Sequence, residues 1–415
     1  MARLLVIMGS GETSPTMSKV HRQLLARAGP GPAVMLDTPF GFQENADDIT
    51  AKAQAYFKES VQREIGLTSF RSALEADADP LAHETMLARL REASYVFAGP
   101  GSPSYAVAQW AASQVPAILR QKLRTGGCVT FASAAACTLG PVALPVYEIY
   151  KAGEAVHWLD GLDLTGDVGL PAVIVPHFNN AEGGNHDTRF CYMGERRLAV
   201  LEGMLPDEVF ILGVDEHTGC ILDLDAGTAT VAGLGVVTVR RDGRMAPVAS
   251  GTTMPIAELA ALATGGGSAL PSILSPVASL AMAMVCADPL VADIDRFEQG
   301  FDAALVAGDA PVAVKVALEL ESLLHDWSRD TTESDLLDRG RAAVRSMIVR
   351  LGEAAEAGVR DPRLLVGPFV EALLDARRQA RADNRWADAD VLRDRLLAAG
   401  VEVRDTAGGT EWQLR

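Results

Sequence analysis

A serine, a histidine and a carboxylate, each next to the end of a β-type run, could together cleave an amide or ester. The serine lies in Gly126-Gly127-Cys128-Val129-Thr130-Phe131-Ala132-Ser133-Ala134-Ala135-Ala136. A glycine pair opens a short apolar strand, which ends on Ser133 and three small residues. A nucleophile elbow is built this way, because the chain turns sharply into a helix and bulky neighbours would clash. The following helix aims its first N–H groups at charge developing on a substrate. An ordinary strand–helix turn in an alanine-rich protein would read the same over these residues alone.

A serine nucleophile needs a base, a group that orients the base, and oxyanion donors. Of seven histidines, His21, His83 and His325 fall in helical patterns and are expected on the surface. His177 follows the buried run Val173-Ile174-Val175-Pro176, at the strand edge where open α/β sheets bind ligands. Leu212-Gly213-Val214-Asp215-Glu216-His217 ends another run and offers a carboxylate, with Glu148 as the competitor. Glu216 is favoured, because its strand should lie near the one carrying His177. The loop Gly99-Pro100-Gly101-Ser102 precedes a helix, so the Gly101 and Ala134 N–H groups are the expected oxyanion pair. Gly9-Ser10-Gly11-Glu12 is a second glycine turn, too irregular for a dinucleotide-binding fingerprint. Gly11, Ser102 and Asn179 are candidate substrate contacts. Cys137, one turn into the helix after Ser133, points back toward the sheet and is expected to be a small core residue, not a nucleophile.

These pieces, in this order, resemble the cyanophycinase and dipeptidase E serine peptidases, over about residues 1–245. The shared features are a glycine turn after the first strand, a glycine loop, the serine elbow, a Pro-His motif and a Gly-hydrophobic-Asp-Glu-x-Thr segment. The resemblance implies a class I glutamine-amidotransferase-like fold with Ser133 as nucleophile, His177 as base and Glu216 as third member. Neither metal nor cofactor is implied. The family's elbow reads Gly-x-Ser-Ala-Gly, whereas Phe131 and Ala135 stand at the glycine positions here. A second reading is a scaffold retained for binding or regulation, which the bulk of Phe131 favours.

Residues 369–415 carry a different resemblance. An Arg-rich helix, Trp386-Ala387-Asp388-Ala389-Asp390, a second helix, a glycine stop and Gly409-Thr410-Glu411-Trp412 are similar to the carboxyl-terminal anticodon-binding region of cysteinyl-tRNA synthetase. The helical stretch from about residue 287 resembles, more loosely, the bundle before it. Arg377, Arg381 and Arg385 fall at i, i+4 and i+8 and would share a helical face. That face could contact RNA phosphates, or it could be a solvated surface with Asp383, Asp388 and Asp390 pairing the arginines. Trp386 and Trp412 are expected as core plugs. No His-x-Gly-His motif occurs, so an active aminoacyl-tRNA synthetase is not expected.

Composition sets the frame. The 415 residues carry a net charge of −17, with 48% hydrophobic and 6% aromatic residues. From Arg339 onward 14 arginines face 12 carboxylates, leaving +2 there and −19 in the first 338 residues. An acidic body argues against broad nucleic-acid binding. Five scattered cysteines without a CxxC pair suggest neither disulfides nor structural zinc. The apolar stretch Leu270–Cys286 contains Pro271 and Pro276 and is shorter than the roughly 20 residues a membrane helix needs. A cytoplasmic protein acting on a peptide or aminoacyl substrate is expected, with no membrane association, weak tRNA contact at most, and a homodimer as one assembly.

The elements that must position the site alternate short β runs with helical patterns through about residue 250. The expected fold is a three-layer α/β/α, mostly parallel, flavodoxin-like sheet. A separate all-α domain and a small α/β tail should follow. The expected divisions are 1–255 for the α/β domain, 256–286 for a linker and connecting helix, 287–375 for a helical bundle and 376–415 for the tail.

Overall fold

The computed structural model describes residues 1–182, 186–265, 288–330, 336–359, 362–406 and 409–414. The expected linker and the apolar stretch before Cys286 therefore lie largely outside the described residues. Two compact units are present, Met1–Arg296 with Glu319–Arg341, and Phe297–Leu318 with Ala342–Arg415. Described residues of the 287–375 stretch fall in both units.

In the first unit Leu4 to Met8 are all fully buried, as a central strand covered on both faces requires. Strands follow in chain order: β1 (Arg3–Met8), β2 (Ala33–Met35), β3 (Gly66–Leu67), β4 (Tyr95–Ala98) and β5 (Gly127–Ala132). A two-stranded ribbon is made by β6 (Val142–Ala143) and β7 (Leu159–Asp160). Next come β8 (Ala172–Val175), β9 (Phe210–Val214), β10 (Thr218–Asp223), β11 (Thr228–Gly233) and β12 (Val236–Arg241). The last two are β13 (Arg244–Ala249) and β14 (Thr253–Pro255).

An eight-stranded sheet has the order β14-β11-β10-β1-β5-β4-β2-β3, and a four-stranded sheet the order β13-β12-β9-β8. Strand β5 lies parallel between β1 and β4, so Ser133 leaves the centre of the large sheet. Strands β8 and β9 are parallel neighbours in the smaller sheet, which brings the segments after them side by side. Single-strand alternation sorts the cores. Leu5 and Ile7 of β1 join one cluster with Val129 and Phe131, while Leu4, Val6 and Met8 join another with Cys128 and Ala132. Ile174 and Leu212 of the smaller sheet also face the first cluster, whereas Val173, Val175 and Ile211 face a third. The α/β architecture is thus layered as expected, with strands of both senses and a second sheet that local pattern alone does not separate from the first.

The second unit ends in helices Pro362–Ala382 and Trp386–Ala398 and a hairpin of β15 (Val401–Thr406) and β16 (Gly409–Leu414). Val370, Leu374, Leu396 and Val401 form its small core. No helix among the described residues is long and apolar enough to cross a membrane.

Candidate active site

Ser133 turns out of β5 with φ of 48° and begins the short helix Ser133–Cys137. This left-handed backbone is uncommon outside glycine and swings the hydroxyl away from the core. Phe131, two residues earlier, is fully buried and packs on Trp110 with ring centroids 5.3 Å apart. Its bulk fills the core beneath the turn. The Ala135 N–H donates to the Gly99 carbonyl at 3.1 Å, tying the elbow to the glycine loop.

His177 also has a left-handed backbone, with φ of 47°, just after β8. Its Nε2 lies 3.0 Å from Ser133 Oγ, and its Nδ1 lies 2.8 Å from Glu216 Oε1. A carboxylate only accepts, so Nδ1 carries the proton and a neutral ring accepts from the Ser133 hydroxyl at Nε2. Glu216 sits after β9, and its backbone N–H donates to Asn179 Oδ1 at 2.8 Å. Glu148, in the helix Val146–Tyr150, keeps a buried Oε2 with no hydrogen-bond partner among the described residues.

The protonation of this chain follows from its surroundings. Burial opposes charge on His177, but the hydrogen bond and the charge of Glu216 outweigh it and push the imidazole up to about 9. Burial likewise opposes charge on Glu216, and the same partner holds its carboxyl below the usual range. Burial pushes the Glu12 carboxyl up to about 7, and its Oε1 has no hydrogen-bond partner among the described residues. Burial also raises the Cys137 thiol well above its ordinary value, which agrees with a core role for that cysteine.

Other candidates fall differently. Ser102 is buried, and its Oγ accepts from the Tyr105 N–H as a helix cap, with its own N–H donated to Pro39. Asn179 Oδ1 accepts from the Glu216 backbone N–H. Gly11 lines a cavity of about 40 Å³ together with Ser10, Glu216, Trp327, Asp330 and Leu337. Glu182 and Asp288 also line it, and no lysine or arginine does among the described residues.

His21 corrects the surface expectation. It is fully buried, with Nδ1 2.7 Å from Tyr95 Oη and Nε2 2.7 Å from the Glu12 carbonyl oxygen. Burial drives its pKa down to about 4. Glu12 and His217 have no role in the sequence expectations above. The usable signals were an acid placed directly after a glycine turn, and a histidine directly after the candidate acid.

In the second unit the arginine face is not a free basic stripe. Arg377 is 3% exposed, and Asp405 receives both its terminal nitrogens at 2.9 and 2.8 Å. Arg381 shares Asp405 at 2.9 Å and lies over the Trp386 ring. The helix ends at Ala382, so Arg385 falls outside it and pairs with Asp383 and Asp388. Trp386 is 55% exposed and no core plug, whereas Trp412 packs against the small core and donates to Glu371.

Residues 366–412 match the family profile of the cysteinyl-tRNA ligase anticodon binding domain. Over 45 residues the chain is 56% identical to cysteine–tRNA ligase of Pseudomonas entomophila (strain L48) and 58% identical to that of Ectopseudomonas mendocina (strain ymp). Each match takes in 11% of this chain and 10% of the relative, so the chain spans about a tenth of the length of these curated relatives. Among solved structures, a peptidase from an acI-B1 Actinobacterium is similar at a TM-score of 0.50 and 16% identity, over 61% of this chain and 97% of that one. A putative peptidase E protein from Listeria monocytogenes EGD-e aligns at a TM-score of 0.36 and 10% identity, over 60% and 99%. A peptidase-type fold in the amino-terminal part thus precedes a synthetase-type carboxyl-terminal segment.

Proposed function

We propose that the first unit is a serine hydrolase or acyl transferase acting on an amide or ester of a peptide or aminoacyl substrate. The observation that carries this reading is the unbroken chain Ser133–His177–Glu216, with links of 3.0 and 2.8 Å. Ser133 Oγ attacks the carbonyl carbon while its proton passes to His177 Nε2. The N–H groups of Gly101 and Ala134 are the proposed donors to the resulting oxyanion. The imidazolium then protonates the leaving amine or alcohol, the C–N or C–O bond breaks, and an acyl-Ser133 remains. Water or an amine attacks next, again losing its proton to His177, and Ser133 is released. The carboxylates lining the cavity beside Glu216 favour a cationic group on the substrate over an anionic one.

Incubation with a fluorophosphonate probe, followed by peptide mass spectrometry, is expected to place a single label on Ser133. Labelling elsewhere, or none at the pH where His177 is neutral, would remove the hydrolase reading. The side chain of Phe131 packs into the core on Trp110, which supports the enzyme reading over a scaffold.

For the carboxyl-terminal segment we propose weak tRNA binding that contributes little to the chemistry. Its arginines are largely committed to carboxylates, so few phosphates can be neutralised. Counterion release then gives a shallow salt dependence, with a slope of roughly 0.9 per phosphate contacted in a duplex. Sub-micromolar binding to cysteine tRNA at physiological salt, lost on Arg381→Glu, would contradict this.

A further inference from the structure

We propose that Trp327 is a positioning residue for the candidate acid Glu216, acting through His217. The proposal rests on the hydrolase reading for its catalytic meaning, but not for its geometry. His217 directly follows Glu216 and has a left-handed backbone, with φ of 52°. Such a conformation persists in a non-glycine residue only where its surroundings hold it. The surroundings here are specific. The His217 N–H donates to the Ser10 carbonyl at 3.0 Å, and its own carbonyl accepts from the Leu234 N–H at 2.9 Å. The ring Nδ1 lies 3.1 Å from Ser14 Oγ and 3.0 Å from Thr16 Oγ1. A Cβ on Gly11 would stand 2.2 Å from that same nitrogen, so only glycine allows the ring this place.

The indole of Trp327 closes the remaining side. It meets the His217 ring edge-on, with centroids 5.6 Å apart and planes at 71°. Trp327 is 5% exposed and ends the helix Ala310–Trp327, far along the chain from the strands that carry the triad. The residues just after it are fastened to the same unit: Arg329 pairs with Glu59, and Asp330 accepts from Thr13 Oγ1 at 3.1 Å. These contacts hold the chain just after Trp327 in place beside His217. Removing the indole leaves a void beside the imidazole, so the ring can rotate and the strained backbone before it can relax. Glu216 then loses its fixed aim at His177 Nδ1.

The test is histidine-selective NMR titration of Trp327→Ala and Trp327→Leu, with kinetics and thermal melts alongside. Glu216 is the main group raising the His177 pKa, with Glu12 and Cys191 also facing the ring. Loosening Glu216 should lower the His177 pKa by about one unit, a tenfold loss of proton affinity. On the alkaline plateau, where His177 is neutral in both proteins, kcat should fall about tenfold with KM within about twofold, the pattern of lost transition-state stabilisation. Trp327→Phe should restore most of both. An unmoved His177 titration in a folded variant overturns the proposal, even if the melting temperature drops. Because the titration needs no turnover, it still reads the positioning role if Ser133 proves unreactive, whereas failure of the hydrolase reading shows as absence of the Ser133 label in the unaltered protein.

Discussion

Ser133→Ala is expected to lower kcat/KM by about 10⁴-fold or more on any aminoacyl ester or anilide the protein cleaves, and to abolish fluorophosphonate labelling. The hydroxyl is the only atom group removed, and no general base can compensate for a missing nucleophile. Residual rate above water would come from oxyanion donors and substrate binding. The His177–Glu216 hydrogen bond does not involve Ser133, so a melting temperature within a few degrees of the unaltered protein is the accompanying expectation. A variant retaining activity within about tenfold would exclude Ser133 as nucleophile, since losses at a covalent centre are far larger than that.

Glu216→Gln is expected to have the second-largest effect and to reshape the pH profile. In the unaltered protein His177 titrates at about 9, so at pH 7 only about one molecule in a hundred has the neutral ring that a base requires. kcat/KM should therefore rise close to tenfold per pH unit through neutrality and level off near pH 9. Removing the Glu216 charge leaves burial as the dominant influence, which pushes the His177 pKa below its ordinary 6.5. The variant's profile should be flat from neutrality upward, with a plateau lowered by roughly 10²–10⁴-fold because the ring is no longer held in the right tautomer. Stability follows the same linkage. A raised histidine pKa stabilises the fold fully below about pH 6.5, and that contribution disappears as pH rises through about 9. The depressed Glu216 carboxyl stabilises above its ordinary value of 4.5 and loses this as pH falls. Melting curves should thus show a pH-dependent stabilisation across about pH 5–7 that Glu216→Gln lacks. A pH profile identical in the two proteins would show that Glu216 does not tune His177.

The sequence alone marked Ser133, His177 and Glu216 as residues at strand ends, because strand periodicity and glycine turns are local properties written into a few neighbouring residues. The same locality exposed the alternation of β1, with Leu4, Val6 and Met8 on one face and Leu5 and Ile7 on the other. It also exposed the synthetase-like segment, whose turn and glycine stop lie within about forty residues of one another. Tertiary structure decided everything that depends on a distant partner. The choice of Glu216 over Glu148 rests on β8 and β9 being parallel neighbours, and pairing between strands is not encoded within either one. Helical spacing gives a face but not what covers it, and a tryptophan's bulk does not say whether it is covered. His21 is buried beneath Tyr95 and Glu12, while Trp386 stays exposed beside Arg381. Arg377, legible only as a charge, is buried because Asp405 from a later strand neutralises it. Glu12 and Trp327 gained their places beside the triad only through folding, since burial and charge are settled by residues as much as 317 positions apart, as between Thr13 and Asp330.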